Sequence, residues 1–529
     1  MEMKNLYNNI PADKFKFANN VDNLHDKKLD TKPVSFMQDA WRRFRKNKGA
    51  VVGAIVISIL VLFAIIAPFF TPFVPSYFDQ KFAYATPKST FFAENGFDFW
   101  DGCRDKVAVN YLTYIKDYAL HIETGKGVIK NSEVTKNEDG TYTYRYDTYH
   151  GVGFGKYKIV SPEEYADIQR YQNETGKQIL YPTVAYSNRP TKEKNKYDAN
   201  IYYLTENPSA DSIRPKLDSN GEIITNYWKY EAGNMPSNAV EYNSLRIEGE
   251  NGFKEGGKQY FYAYARRVDG GIEVRADYYE YYIYYHTQVA KDGITEPVFW
   301  FGTTDNGKDI FACLAYGARF SFLFATIVAI VNLLVGVIWG SISGYYGGKI
   351  DMAMERFVEI LGAVPTMIVI TLLKYHMGST SQVIVLFISF FATGWIGMAG
   401  RTRMQFYRFK NQEYVLTART LGARDRRIMF KHIFPNAIGT LVTSCALIIP
   451  SMIYSETSLS YLGIINLESG NTTSVGTLIA AGQAAITKPG AEYVIAFPCV
   501  FLILLMLSFN LFGNGLRDAF NPSLRGTEE

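Results

Sequence analysis

The chain has 529 residues and a net charge of +4, its 55 lysines and arginines nearly matched by 51 aspartates and glutamates. With the basic residues spread along the chain and no recognition motif among them, nucleic acid is excluded as a partner. Length alone would suggest three or four soluble domains, but charged and apolar residues are segregated into separate stretches, as in a membrane protein.

Uncharged runs at 49–78, 320–348, 375–400, 437–455 and 493–516 are each long enough to cross a hydrocarbon core of about 30 Å. A sixth span is expected at 352–373, where Glu355, Arg356 and Glu359 occupy the first two turns and can reach the headgroups. Arg42, Arg43, Arg45, Lys46 and Lys48 precede the first run, which predicts a cytoplasmic N-terminus. Lys349, the loop 401–431, Arg517 and Arg525 then fall on the same side, leaving 75–298 outside. The first forty residues lack a cleavable signal, so the first span is expected to remain as an anchor. Cys103, Cys313, Cys445 and Cys499 are scattered and predict neither a disulfide nor a metal cluster.

In chain order, 1–34 is a polar tail, loosely ordered until it meets a partner, and 35–48 is an amphipathic segment with Trp41 suited to the membrane interface. The first transmembrane helix is placed at 49–74 and a large exported α+β domain at 75–298. In that domain 141–147 and 258–265 alternate like half-buried strands, and Ser161 with Glu164 forms a capping box that opens a helix through Gln172. The tyrosine cluster 278–285 reads as strand core or as a docking surface. A core at 299–519 holds the other five spans, followed by a cytoplasmic tail at 520–529. Residues 309–320 are expected as an interfacial helix anchored by Arg319, and Gly336, Gly340 and Gly344 offer a smooth face for a neighbouring helix. Pro365 is expected to kink the third span, while Glu359 either lines a pathway or pairs with Arg356 or a neighbouring subunit.

Between the fourth and fifth spans lies a charged segment of helical character, within a loop placed at 401–436. Asn411 is a plausible N-cap, Glu413 suits the first turn, and Tyr414, Ala418 and Leu421 are expected on one face. Gly422 is placed for a left-handed cap. A second amphipathic piece sets Met429, Phe430, Ile433 and Phe434 against Arg426, Arg427 and Lys431 until Pro435 stops it. Two short helices joined at a glycine make a docking knob. The chain has no phosphate-binding loop, since Gly155-Lys156 is followed by tyrosine and Gly348-Lys349 by isoleucine. It also lacks H-E-x-x-H and G-x-S-x-G motifs, so no enzyme is expected.

Glu413-Tyr414-Val415-Leu416-Thr417-Ala418-Arg419-Thr420-Leu421-Gly422-Ala423 resembles the cytoplasmic loop of ABC importer permeases of the oligopeptide, dipeptide and nickel family, with Thr417 in place of an alanine. Phe301-Gly302-Thr303, Tyr316-Gly317-Ala318-Arg319, the stretch 456–463 and the closing 510–518 are similar to further motifs of that family. The resemblance covers 35–70 and 299–525; the long 75–298 insertion departs from it.

This resemblance implies an all-α polytopic membrane protein with six transmembrane helices in the ABC importer permease fold, to which the residues of 75–298 add the expectation of a large inserted extracellular α+β domain. It implies that Glu413, Tyr414, Thr417, Ala418, Leu421, Gly422, Ala423 and Pro435 couple the chain to an ATPase; Glu359, Pro365 and Glu456 are the candidates for a translocation path. The implied partners are a second homologous permease subunit, two ATP-binding subunits, an extracellular peptide-binding protein and membrane lipid. No cofactor or metal of its own is implied, ATP and magnesium being bound by the partner subunits. The expected function is ATP-driven uptake of oligopeptides or dipeptides at the cell membrane by alternating access. A nickel or metal-chelate importer and a membrane-anchored surface receptor are the alternatives.

Overall fold

The computed structural model describes residues 36–520 apart from 96, 109–110, 153–156, 185–218, 220–224, 226, 245–251 and 379–380. The expected tail 1–34, Arg525 and nearly all of 520–529 lie outside the described residues.

Helix α1 (Phe36–Lys46) buries Ala40 and Phe44 and exposes Trp41. Asn47 then caps α2 (Lys48–Ile66), its side-chain oxygen accepting from the Ala50 amide at 3.1 Å. A 3₁₀ turn, Ala67–Phe69, with Pro68 at its start closes this span at 69 rather than the expected 74, because the proline ring removes a backbone donor.

The segment between the first two spans folds as α+β. Strands β1 (Cys103–Ala108), β2 (Ile129–Lys136) and β3 (Tyr142–Asp147) form an antiparallel sheet in the order β1-β3-β2, packed on α3 (Tyr111–Thr124) through Leu120, Tyr144 and Tyr146. A second sheet takes β4 (Tyr157–Val160), β11 (Gly271–Ala276), β10 (Ala265–Val268) and β7 (Ala239–Val240) in that order, with β5 (Leu180–Tyr181) also paired to β11. Its core includes Tyr165 and Ile168 of α4 (Pro162–Thr175), the helix opened by the expected cap: the Ser161 hydroxyl accepts from the Glu164 amide at 3.1 Å. Strands β6 (Lys229–Glu231), β9 (Lys258–Tyr262) and β8 (Gly252–Glu255) form a third sheet, so the expected strand 258–265 divides between two sheets. Buried Arg275 of β11 and Glu123 of α3 form a two-pronged ion pair that ties the first module to the central sheet.

The cluster 278–285 is not a strand. It forms α5 (Tyr278–Tyr284) and runs into a π turn, Tyr285–Ala290. Asp277 starts the helix by accepting from the Tyr279 amide at 3.0 Å, and Tyr279, Tyr281, Tyr282 and Tyr284 are all buried. Capping and burial on both sides override the strand preference of tyrosine.

Helix α6 (Ile310–Tyr346) has 37 residues, about 55 Å at 1.5 Å per residue, well beyond the bilayer core. Its first turns, within the segment 309–320 expected as an interfacial helix, are buried against protein. Ile310 to Leu314 are buried, and Ala312 joins the aromatic core of Phe82, Tyr149 and Phe299 in the inserted domain. Beyond Gly347 come α7 (Gly348–Gly362) and α8 (Thr366–His376), bent by 68° across the break at Pro365. Helices α9 (Gln382–Gly394) and α10 (Ile396–Phe409) together make the next span, which lies later than the expected 375–400. The short α11 (Glu413–Thr420) precedes α12 (Asp425–Tyr461), which contains the π turn Ile428–Ile433. An unanticipated short apolar helix, α13 (Val475–Ala485), leads to α14 (Tyr493–Phe520). Among the described residues five helices are long and apolar enough to span a membrane, six if the bent pair is counted as one.

The glycine face packs as expected. A Cβ at Gly336, Gly340 or Gly344 would stand 2.6 Å from Met398 Cβ, 2.2 Å from the Ala399 oxygen or 2.7 Å from the Arg403 oxygen, so α6 and α10 touch backbone to backbone. At one end of the bundle α1 meets the close of α14, with Phe44 edge-on to Phe512 at 5.5 Å, and Phe520 packs on Gly439 near the start of α12. At the other end the inserted domain sits on the helices: the Tyr493 hydroxyl donates to the Ala85 oxygen at 2.9 Å, and Phe301 stacks on Phe497 at 4.2 Å.

Candidate functional site

Two places bear on function: the α11 knob and a cleft between the membrane helices. The knob begins at Gln412, whose extended backbone makes it the N-cap in place of Asn411, and neither side chain caps the helix. Glu413 sits in the first turn as expected. At the far end Gly422 has φ +80°, the Ala423 amide donates to the Ala418 oxygen and the Gly422 amide to the Arg419 oxygen, both at 3.0 Å. This is a Schellman cap, the left-handed ending that the glycine predicts.

The expected shared face of Tyr414, Ala418 and Leu421 is corrected. Val415 and Ala418 are buried, and Val415 packs with Tyr345, Phe406, Ile428 and Ile433, whereas Tyr414 is 41% and Leu421 82% exposed. Asn436 Nδ2 donates to the Tyr414 hydroxyl at 3.3 Å, and the exposed Thr417 hydroxyl is turned back onto the Glu413 oxygen at 2.9 Å. Pro435 does not stop a helix; it occupies the first turn after the π turn, where its missing N–H costs little, and α12 continues through it. Residues 401–409, expected as loop, belong to α10. Of the second piece, Met429 and Ile433 are buried, but Phe430 is 46% exposed. Leu416, Leu421 and Phe430 therefore leave apolar surface on the knob.

Polar clamps join the knob to the spans. The Tyr345 hydroxyl at the end of α6 donates to Asp425 Oδ1 at 2.6 Å, and Lys410 Nζ donates to the Gly344 oxygen at 3.0 Å. Asp351 in the first turn of α7 accepts from Arg403 Nε and Nη2, both at 2.7 Å, and from the hydroxyls of Tyr407 and Ser343. That single carboxylate locks α6, α7 and α10 together. Sequence reading missed Tyr345, Asp351, Arg403 and Asp425 as functional. Their only local signal was Asp351 following the Gly347-Gly348 turn.

The cleft has a volume of about 600 Å³. Val364 and Thr366 line it at the α7–α8 break, Thr393 and Gly397 at the α9–α10 junction, and Ser455 and Ser458 from α12. Pro365 creates the break but does not itself line the cleft. Glu359 is off the lining, exposed on α7 and paired with Arg356 Nη1 at 2.6 Å. Glu456 is 1% exposed and turned away from the cleft; Ser321 Oγ and Ser460 Oγ donate to it at 3.2 and 3.1 Å, and Gly476 packs against it. Behind Gly394, Asn332 of α6 is wholly buried, and neither its carboxamide oxygen nor its nitrogen finds a hydrogen-bond partner among the described residues. Among the described residues no three His, Cys, Asp or Glu side chains gather as a metal cluster, and the four cysteines are free.

Residues 336–526 match the family of binding-protein-dependent transport system inner membrane components, and 35–87 match the N-terminal TM domain of oligopeptide transport permease C. The oligopeptide transport system permease protein OppC of Bacillus subtilis is 43% identical over 226 residues, which is 43% of this chain and 72% of that protein. The chain belongs to the oligopeptide and dipeptide ABC permease family. The dipeptide transport system permease protein DppC of Bacillus subtilis is 38% identical over 226 residues, 43% of this permease and 69% of its relative. OppC of Haemophilus influenzae is 37% identical over 230 residues, 44% and 72% of the two chains. A solved structure of the MetNI methionine ABC transporter overlaps at TM-score 0.28 and 13% identity, over 37% of the permease and 93% of that chain, too loosely to show a fold. The permease is thus a multi-pass membrane protein, and residues 88–335, most of them the inserted domain, lie outside both matched segments.

Proposed function

We propose that this chain is the membrane-spanning permease subunit of an ATP-driven importer of oligopeptides or dipeptides. The observation that carries the reading is its 43% identity to an oligopeptide transport permease over 226 residues. The assembly comprises this chain, a second homologous permease, two ATP-binding subunits and an extracellular peptide-binding protein. The partner subunits bind ATP with magnesium and hydrolyse the ATP, and this chain is not itself a catalyst.

The α11 knob docks on an ATP-binding subunit. Its buried face, Val415 and Ala418, fixes it to the ends of α6 and α10, and its exposed Leu416, Leu421 and Phe430 offer apolar contacts to the partner. When the ATP-binding subunits close, the knob moves with them, and the Tyr345 and Asp351 clamps pass the displacement to α6, α7 and α10. The 600 Å³ cleft at the Pro365 break is the segment of the translocation path that this chain supplies. Pro365 acts by breaking the span, and Glu456 acts as a buried helix-packing group beside the path.

The basic residues of α1, of 401–431 and of the end of α14 share one end of the bundle, which supports a cytoplasmic position for that end and the knob, with the inserted domain outside. The peptide names of the relatives disfavour nickel, and an anchored receptor has no use for a docking knob clamped to its spans.

The test is ATP hydrolysis by the complex in lipid nanodiscs with the binding protein alone, with mixed peptides, or with a nickel chelate. Stimulation by peptide is expected. Stimulation by the nickel chelate alone would overturn the substrate, and a preparation that retains no ATP-binding subunit would overturn the transport reading itself.

A further inference from the structure

The inserted domain holds a second cleft, of about 660 Å³, that neither the knob nor the membrane helices use. One wall is a single helical face: Tyr278, Tyr281, Tyr282 and Tyr285 recur three and four residues apart along α5 and its π turn. The facing wall is the segment 77–81, and Lys158 of β4 reaches in between. The rings are fixed by their hydroxyls. Tyr278 donates to Asp79 Oδ2 at 2.8 Å, Tyr281 donates to Glu164 Oε1 at 2.6 Å, and the hydroxyls of Tyr77 and Tyr282 share a hydrogen bond of 2.7 Å. Such a cleft is shaped before any ligand arrives, and its volume falls in the ordinary range for small-ligand sites.

Its chemistry is lopsided. Of the nearby carboxylates, Asp79 and Glu164 accept from phenols, and Asp292 is paired with His286 of the lining. Its cations are Lys81 and Lys158. The Lys158 ammonium lies 3.4 Å over the Tyr281 ring and 3.7 Å from Glu164 Oε1, and the Lys81 ammonium lies 6.0 Å from the Tyr278 ring. Ammonium groups on an aromatic wall suit an anionic end attached to apolar or planar groups. Phe78, 59% exposed, and Tyr285, 41% exposed, flank the opening, where aromatic side chains bind at small entropic cost.

We propose that this cleft binds the C-terminal end of a short peptide, with Lys158 and Lys81 receiving the carboxylate and the tyrosine face packing side chains and amide planes. The inserted domain then captures cargo on the permease itself, beside the route of delivery. The ligand class rests on the peptide-import reading above.

The test uses the full-length chain within its complex in nanodiscs, without the binding protein, and measures calorimetric binding of the tetrapeptide Ala-Phe-Leu-Ala, of its C-terminal amide and of maltotetraose. The free acid is expected to bind, the amide at least tenfold more weakly and maltotetraose not at all. Lys158→Gln is expected to weaken the free acid at least tenfold and Tyr285→Ala several-fold, with Lys158→Arg retaining binding and all three keeping the unfolding temperature of the parent. Equal affinity for the amide, an unchanged affinity in Lys158→Gln, or maltotetraose bound in place of the peptide would overturn the proposal. If the free acid does not bind while the complete importer still takes up peptide, the cleft assignment fails and the import reading stands. Binding at the cleft by a complex that imports no peptide would have the opposite meaning.

Discussion

The Tyr345 hydroxyl donates to Asp425 Oδ1 at 2.6 Å and accepts from Arg419 Nη2 at 3.5 Å, so one phenol at the end of α6 holds both sides of the Gly422 turn. Tyr345→Phe keeps the ring in its buried packing and deletes both bonds. Because Arg419 and Asp425 are exposed and regain water, the loss in stability is expected to be only about 1 kcal/mol. Coupling is expected to suffer more: peptide-stimulated ATP hydrolysis falls several-fold while the unstimulated rate holds. Assaying both rates on one preparation checks this, and an unchanged stimulation would remove Tyr345 from the transmission route.

Gly422 has φ +80°, and a Cβ there would meet no atom within 4 Å. Any substitution is therefore penalised by backbone conformation alone, by about 1–2 kcal/mol for an ordinary L-residue. Gly422→Ala is expected to fray the Schellman cap and lower uptake of a labelled peptide, and Gly422→Asn to retain most of it, since asparagine tolerates the left-handed region. Uptake in proteoliposomes ranks the three. Equal uptake by the alanine variant would show that the cap does not shape the docking surface.

Gly340 and Gly400 make a matched pair on the two helices that touch. A Cβ at Gly340 would stand 2.2 Å from the Ala399 oxygen and 2.7 Å from Thr402 Cβ, and since the first of these is backbone the helices themselves must part. Gly340→Ala is expected to destabilise the bundle by roughly 1–3 kcal/mol, read as a lower unfolding temperature in detergent. Gly400→Ala, with nothing within 4 Å, is expected to be neutral or slightly stabilising through helix propensity.

Asn332 gives a prediction of the opposite sign. Its carboxamide is fully buried with no partner among the described residues, a cost of about 1–3 kcal/mol. Asn332→Leu, of similar size, is expected to raise the unfolding temperature. If uptake falls at the same time, the orphaned amide serves a second arrangement of the helices around Gly394; if uptake is unchanged, it serves none.

What the sequence disclosed follows from how local each determinant is. The apolar runs were legible because lipid admits little else, and the Gly336, Gly340 and Gly344 face and the Gly422 cap because only glycine satisfies them. Pro435 was misread because proline stands equally well after one helix and at the start of the next, and only the tertiary path decides which. The orientation of Glu456 turns on helix phase: Ser455 and Ser458 line the cleft while Glu456 between them faces Ser321 and Ser460. The partner of Asp351 is 52 residues away at Arg403, and the burial of the start of α6 depends on an inserted domain whose core assembles from distant segments. Neither is written in any local pattern.

Asp309 closes the connection between that domain and α6. It caps the helix, accepting from the Ala312 amide at 3.1 Å and the Phe311 amide at 3.2 Å, yet it is only 4% exposed. Burial drives its carboxyl up to about 7, and the backbone amides and the Thr71 hydroxyl pull only partly the other way. An unfolded aspartate titrates near 4, so between about pH 4 and pH 7 the folded chain holds a proton that the unfolded chain has released. Stability contributed by this group is therefore present at low pH and lost as pH rises through about 7. Asparagine caps a helix equally well and carries no charge. The advantage of Asp309→Asn over the parent is expected to be smallest near pH 4 and to grow toward pH 8, where the parent must hold a buried carboxylate. Unfolding temperatures of the two proteins in nanodiscs across that range decide it: parallel curves would mean that Asp309 stays ionised in the fold and that its two amide donors outweigh its burial.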